Sequence, residues 1–210
     1  MNEALLIFGV LVLAYLIGSI ATSIWVSRWF FDVDIRNEGS GNAGATNTFR
    51  VLGTKAGIIV LVIDALKGWL AVQLGQWIIP MPDTANAQIC LGVLAVLGHI
   101  FPVYERFKGG KGIATLLGVV LAIHPQAALL AMAAFLVILA STKWVSVASM
   151  FAAISLPLWI KFRFPETDQS ILIFAWLLAV LVIFTHRKNI RRLLDGEENR
   201  VNIQFRKNKD

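Results

Sequence analysis

The chain has 210 residues, 57% of them hydrophobic and only 15% charged, with a formal net charge of +6 and a strongly positive mean hydropathy. A soluble domain of this length would need a far more polar surface, so the composition argues for one integral membrane domain over residues 1–210. The single Cys90 excludes an intramolecular disulfide, and no His/Cys/carboxylate cluster suggests a metal.

Several apolar runs approach or pass the roughly 18–20 residues that cross a bilayer core. The first begins just after Met1-Asn2-Glu3 and ends near Trp25. Its start carries no Lys or Arg and the run is too long for a signal core, so it reads as a first span beginning outside the cytoplasm. A polar stretch follows, Gly39-Ser40-Gly41-Asn42-Ala43-Gly44-Ala45-Thr46-Asn47, leading to Arg50. Gly39, Gly41 and Gly44 allow the backbone to turn its N–H groups inward, and Ser40, Asn42, Thr46 and Asn47 add neutral hydrogen-bond partners. Arg50 can fork onto two phosphate oxygens. An ordinary connecting loop is the bland alternative, because glycine, serine and asparagine are common turn residues.

The second span is expected at Ala56–Ile79 and the third at Gln88–Phe101. Asp64 and Lys67 sit inside the second at i,i+3 spacing, where an internal ion pair positioning the span is the expected role. After Gly98-His99 and Pro102 comes Phe107-Lys108-Gly109-Gly110-Lys111-Gly112. A helix beginning near Gly110 would aim its positive dipole end at the membrane surface, with Lys108 and Lys111 as point charges. This is not a Walker loop, since Gly112 stands where Ser or Thr is required. The bland alternative is a basic loop solvated among lipid headgroups.

The region from Ile113 to Ala140 is one long helix or two short ones broken at His124-Pro125. Charge decides for two crossings. Arg28, Arg36, Arg50, Lys55, Arg106, Lys108, Lys111, Lys143 and the basic residues from Arg187 to Lys209 then share one side, leaving Lys161 and Arg163 on the other. Further spans at Trp144–Ile160, carrying Ser146 and Ser149, and at Ile171–Thr185 complete an all-α bundle of seven membrane helices, N-terminus outside and C-terminus cytoplasmic. Beyond the last span, Thr185-His186-Arg187-Lys188-Asn189-Ile190-Arg191-Arg192 puts His186 and Asn189 one turn apart on a continuing helix. By itself such a run is more often a lipid-anchoring collar than a site. His99 and His186 are open to roles as base, donor or interfacial polar group. The charged tail from Asp195 to Asp210 is expected to be flexible or to lie along the membrane.

In these three stretches, with Asp64 and Lys67-Gly68, the sequence resembles the bacterial acyl-phosphate:glycerol-3-phosphate acyltransferase family, PlsY, over essentially its whole length. The resemblance implies transfer of a fatty acyl group from acyl phosphate to the sn-1 hydroxyl of glycerol 3-phosphate, giving lysophosphatidic acid and phosphate in the first step of phospholipid synthesis. It implies no cofactor, no nucleic acid and no obligate protein partner. The implied setting is a monomer among the lipids of the bacterial cytoplasmic (inner) membrane, with its site on the cytoplasmic face. The His-x4-Asp signature of the other large acyltransferase class is absent: Tyr104, Leu129 and Arg191 stand five residues after His99, His124 and His186.

On this reading Ser40, Asn42, Gly44, Thr46, Lys111 and Asn189 cradle the acyl-phosphate phosphate, while Arg50, Lys108, Ser149 and His186 hold glycerol 3-phosphate. Gly39, Gly41, Asn47, Gly110 and Gly112 complete the expected substrate-binding set. Lys111, His186, Asn189, Ser40 and Thr46 are the expected catalytic set. The quoted motifs contain no carboxylate, so either a substrate phosphate or His186 takes the hydroxyl proton. A permease for phosphorylated solutes is the competing class, but its site would usually lie near the bilayer midplane.

Overall fold

Buried charge breaks the first apolar run. Among the residues described by the computed structural model, 3–78 and 85–201, the run expected to continue to Trp25 is two helices, α1 (Glu3–Gly18) and α2 (Thr22–Phe31), bent by 45°. No proline lies at the break. Instead, Lys67 Nζ donates to the freed Ile20 carbonyl at 2.7 Å, and Thr22 Oγ1 donates to Asp64 at 2.9 Å. An ammonium inside the apolar core needs oxygen partners, and an interrupted helix supplies a backbone carbonyl. The expected ion pair is present, with Lys67 Nζ 2.8 Å from Asp64 Oδ1.

The other helices are α3 (Ala45–Leu52), α4 (Thr54–Ile78), α5 (Ala85–Ile100), α6 (Ile113–Ile123), α7 (Pro125–Thr142), α8 (Val145–Arg163), α9 (Gln169–Thr185) and α10 (Arg187–Leu194). No strand occurs among the described residues. The expected span end at Ile79 and the tail beyond Val201 lie outside the described residues. Among the described residues, four stretches are long and apolar enough to cross a membrane: Thr54–Gly75, Ala85–Glu105, Pro125–Thr142 and Val145–Arg163. The bent pairs α1/α2 and α9/α10 raise the number to 6, while α6 has only 11 residues. The ambiguous region is two helices. Pro125 opens α7, and His124 accepts from the Ala127 N–H at the break.

Large apolar side chains such as Phe8, Val137, Leu177 and Phe184 stand on the outside, as the surface of a membrane bundle requires. Inside, small residues let backbones touch. A Cβ on Gly118 of α6 would lie 1.8 Å from the Ala65 carbonyl oxygen of α4, and one on Gly68 would lie 2.2 Å from that of Thr115. Such close approach is how helices gain packing energy where lipid is as apolar as leucine. One apolar cluster joins Leu116 and Val119 of α6 to Leu156 and Ile160 of α8 and Phe174 and Leu178 of α9. A second joins α1 to α4 and α5 through Val10, Ala14, Ala71, Leu91 and Ala95.

Gly118→Ala should therefore force a backbone shift and cost about 1–3 kcal/mol, read as a lowered melting temperature in detergent. Gly9→Ala, whose added Cβ meets nothing within 4 Å, should melt near the parent temperature. Equal melting temperatures for the two variants would contradict the close α4–α6 contact.

Candidate active site

The first polar loop is shaped by its own side chains. Asp34 accepts from the Arg36 N–H and from the Arg36 and Arg28 guanidinium groups, fixing a short 3-10 turn over Ile35–Asn37. The Arg36 side-chain hydrogen bonds hold the Asp34 carboxyl well below the usual carboxylate range, against the opposing effect of burial. Asn47, only 1% exposed, accepts from the Ser40 N–H at 2.9 Å and donates to the Ile35 and Glu38 carbonyls at 3.0 and 2.9 Å. Its amide thus ties the loop together through three backbone groups. Gly39 and Gly41 adopt φ of 57° and 72°, a left-handed backbone that favours glycine. The side chains of Ser40, Asn42 and Thr46 have no hydrogen-bond partner among the described residues.

The second loop folds back onto the end of α5. Gly109 N–H donates to the Ile100 carbonyl at 3.1 Å, and Gly110 N–H to the His99 carbonyl at 3.2 Å. A Cβ on Gly110 would lie 2.2 Å from the Ala43 carbonyl oxygen of the first loop, so the two glycine stretches touch. The helix begins at Ile113 rather than near Gly110, because Gly112, at φ 80°, lies outside helical space and caps α6. Lys108 stands apart from Lys111. Left-handed Arg106 and Phe107 precede it, and it lines a separate cleft with Arg28, Asp34, Arg36, Asn37, Tyr104, Glu105 and Arg106.

The third stretch meets the second loop at Lys111. At His186 the chain bends by 55° between α9 and α10. His186 Nδ1 donates to the Val182 carbonyl at 2.8 Å, leaving Nε2 as the acceptor. Asn189 is buried, and its Oδ1 accepts from Lys111 Nζ. Its Nδ2 donates to Glu198 Oε1 at 2.6 Å, an oxygen that also accepts from Ser146 Oγ at 2.7 Å, while Arg192 Nε donates to Oε2 at 3.0 Å. Glu198 therefore brings a carboxylate to motifs expected to meet without one. The only local signal for it is Gly196, at φ 74°, which reverses the chain after α10. Ser149, one turn beyond Ser146, is buried.

Electrostatics follow from crowding. Burial pulls the Lys111 ammonium down to about 8; repulsion from Arg192 and Arg50 adds to this, while Glu198 opposes it. Burial, then Lys111, lowers His186 to about 4, so the imidazole is neutral near pH 7. Burial also lowers Arg50, with Arg192 repelling it and Glu198 opposing. Hydrogen bonds from Asn189, Ser146 and Arg192 keep Glu198 low although burial pushes it up. The first loop thus touches the second at Ala43 and Gly110, the second meets the third stretch through Lys111 and Asn189, and Lys111, Arg50 and Arg192 lie within electrostatic reach of Glu198.

The fold and site together define a helical membrane protein in which two touching glycine loops lie beside a cluster of cations. The sequence matches the family model described as glycerol-3-phosphate acyltransferase over residues 8–196. It is 44% identical to glycerol-3-phosphate acyltransferase 2 of Bacillus anthracis, covering 91% of this chain and 97% of that one. Identity to glycerol-3-phosphate acyltransferase of Chlorobium phaeovibrioides is 41%, over 95% and 98% of the two chains. A crystal structure of PlsY, an integral membrane glycerol 3-phosphate acyltransferase, in its glycerol 3-phosphate form aligns with a TM-score of 0.84 at 39% identity, covering 93% of this chain and 96% of that one. The lysophosphatidic acid form aligns with a TM-score of 0.81. The chain belongs to the glycerol-3-phosphate acyltransferase family.

Glu198→Ala should strip acceptors from Ser146, Asn189 and Arg192 together and destabilise the protein by about 1–3 kcal/mol. Thermal unfolding in detergent reads this directly, and an unchanged melting temperature would remove Glu198 from the framework.

Proposed function

We propose that this chain acylates the sn-1 hydroxyl of glycerol 3-phosphate from acyl phosphate, releasing lysophosphatidic acid and inorganic phosphate. The observation that carries the reading is the convergence of Lys111, Asn189, His186, Arg50 and Arg192 beside two touching glycine loops. Both reactants carry phosphate, and a pocket with incompletely compensated cations suits two phosphoanions in proximity. Lys111, Asn189 and the unpartnered side chains of Ser40, Asn42 and Thr46 hold the acyl-phosphate phosphate. Arg50, His186 and Ser149 hold glycerol 3-phosphate. Lys108, in its own basic cleft, serves anion approach rather than direct contact.

In the reaction the glycerol hydroxyl oxygen attacks the acyl carbonyl carbon. The bond from that carbon to the bridging phosphate oxygen breaks, and phosphate leaves with the electron pair. Because acyl phosphate is a mixed anhydride, positioning and charge stabilisation carry most of the work asked of the protein. The hydroxyl proton goes to a substrate phosphate oxygen. A phosphate with a second pKa near about 6 is the stronger base beside an imidazole lowered to about 4. His186, with Nε2 as acceptor, orients the hydroxyl.

The positive-inside bias supports seven crossings, an external N-terminus and a pocket on the cytoplasmic side of the bacterial inner membrane, with α6 as a short crossing. The chain works as a monomer.

Purified protein in detergent, given acyl phosphate and glycerol 3-phosphate, should form lysophosphatidic acid and phosphate in equal amounts; no acyl transfer would end the proposal. The pH dependence follows from the protonated forms required. Lys111 must be cationic, so kcat/KM should fall as pH rises through about 8, and Lys111→Arg should abolish that alkaline limb. His186→Gln should keep an acid limb near about pH 6, set by substrate phosphate. Loss of that limb would return the proton to His186.

A further inference from the structure

The buried polar cluster around Asp64 reaches further than an ion pair. His99, at the end of α5, is 8% exposed, and its Nδ1 lies 3.1 Å from Thr115 Oγ1 on α6 and 3.7 Å from Asp64 Oδ1 on α4. The same Asp64 oxygen takes Lys67 and Thr22, while Asp64 Oδ2 is buried without a hydrogen-bond partner. A nearby carboxylate favours the proton on His99 Nδ1, where it is donated to Thr115, and leaves Nε2 as an acceptor. That nitrogen faces the second glycine loop: a Cβ on Gly110 would lie 2.5 Å from it. The His99 carbonyl accepts the Gly110 N–H as well, so one residue meets that glycine through both backbone and ring. Gly110 in turn rests on Ala43, and a small cavity lined by Thr22, Ala43, His99, Gly109 and Gly110 lies beneath the joint.

We infer that His99, keyed by Thr115 and Asp64, is a positioning residue that sets the second glycine loop against the first and thereby fixes where Lys111 meets the acyl-phosphate phosphate. The polar cluster inside the bundle is the loop's footing. A loop with two consecutive glycines is soft, and its phosphate-facing groups hold a useful geometry only if something beneath them is rigid. Four helices contribute to that footing: α2 through Thr22, α4 through Asp64 and Lys67, α5 through His99 and α6 through Thr115. This inference rests on the assignment of Lys111 to the acyl-phosphate phosphate.

The test is a double-mutant cycle between the footing and Lys111, with the KM for a long-chain acyl phosphate and kcat both measured. Thr115→Val keeps the shape of the side chain and removes only its hydroxyl; His99→Gln is the second variant. Each should raise the acyl-phosphate KM roughly tenfold, the scale of one lost buried hydrogen bond, with a smaller change in kcat. In the Lys111→Ala background the same changes should have little further effect, because the ligand contact they position is gone. Additive losses in the double variants, or unchanged KM in folded single variants, would overturn the inference. So would failure of both single variants to fold, which would assign the cluster to stability alone. An unaltered acyl-phosphate KM in Lys111→Ala by itself would instead overturn the underlying site assignment, so the two failures are distinguishable.

Discussion

Cations gathered out of bulk water repel one another, and Glu198 offsets that repulsion where Lys111, Arg50 and Arg192 come together. Lys111, Arg50 and Arg192 act on each other electrostatically, and burial already disfavours the charged forms of Lys111 and Arg50. One carboxylate, bonded to Ser146, Asn189 and Arg192, lowers that cost without neutralising the site. Complete compensation would leave nothing to attract a phosphate. No compensation would drive Lys111 further toward the neutral amine. The observed balance keeps a lysine that is mostly cationic at neutral pH yet poorly hydrated, the condition under which it binds an anion strongly.

The same trade between burial and pairing recurs inside the bilayer. Lys67 is satisfied by Asp64 and by a carbonyl taken from the break between α1 and α2. That break redirects α2, whose Arg28 and Trp25 then donate to Glu105 beside the second loop. A charge pair within the bundle thus governs the path of the chain at the membrane surface. Close helix contacts at Gly68 and Gly118 hold α4 and α6 near enough for Asp64 and Thr115 to share His99.

Much of this was legible in the residues alone. Apolar runs marked the helices, Pro125 marked a break, and the polar stretches marked segments that meet in the fold. The i,i+3 spacing of Asp64 and Lys67 announced their pairing. What escaped depends on contacts distant in sequence. The break at Ser19–Ala21 carries no proline and arises from a lysine 47 positions later. Glu198 lies outside the basic run it serves, and its partner Ser146 is 52 positions away. Lys108 and Lys111 look equivalent in one glycine-rich string, but left-handed Arg106 and Phe107 turn the chain so that only Lys111 meets Asn189. Asn47 reads as a ligand residue because asparagine can serve a substrate or a turn equally well, and only its three backbone partners decide between them.

An α-helix of 11 residues rises only about 17 Å, little more than half the hydrocarbon thickness of a bilayer. On the proposed seven-span arrangement, with α6 capped by Gly112 immediately after Lys111, the leaflet would pinch inward around this helix or the proposed site would sit recessed beneath the lipid phosphates. In either arrangement a long-chain donor would reach the proposed site while its tail stayed dissolved among neighbouring chains. The energetic toll of hauling that tail into water, roughly 0.8 kcal/mol for every methylene, never arises.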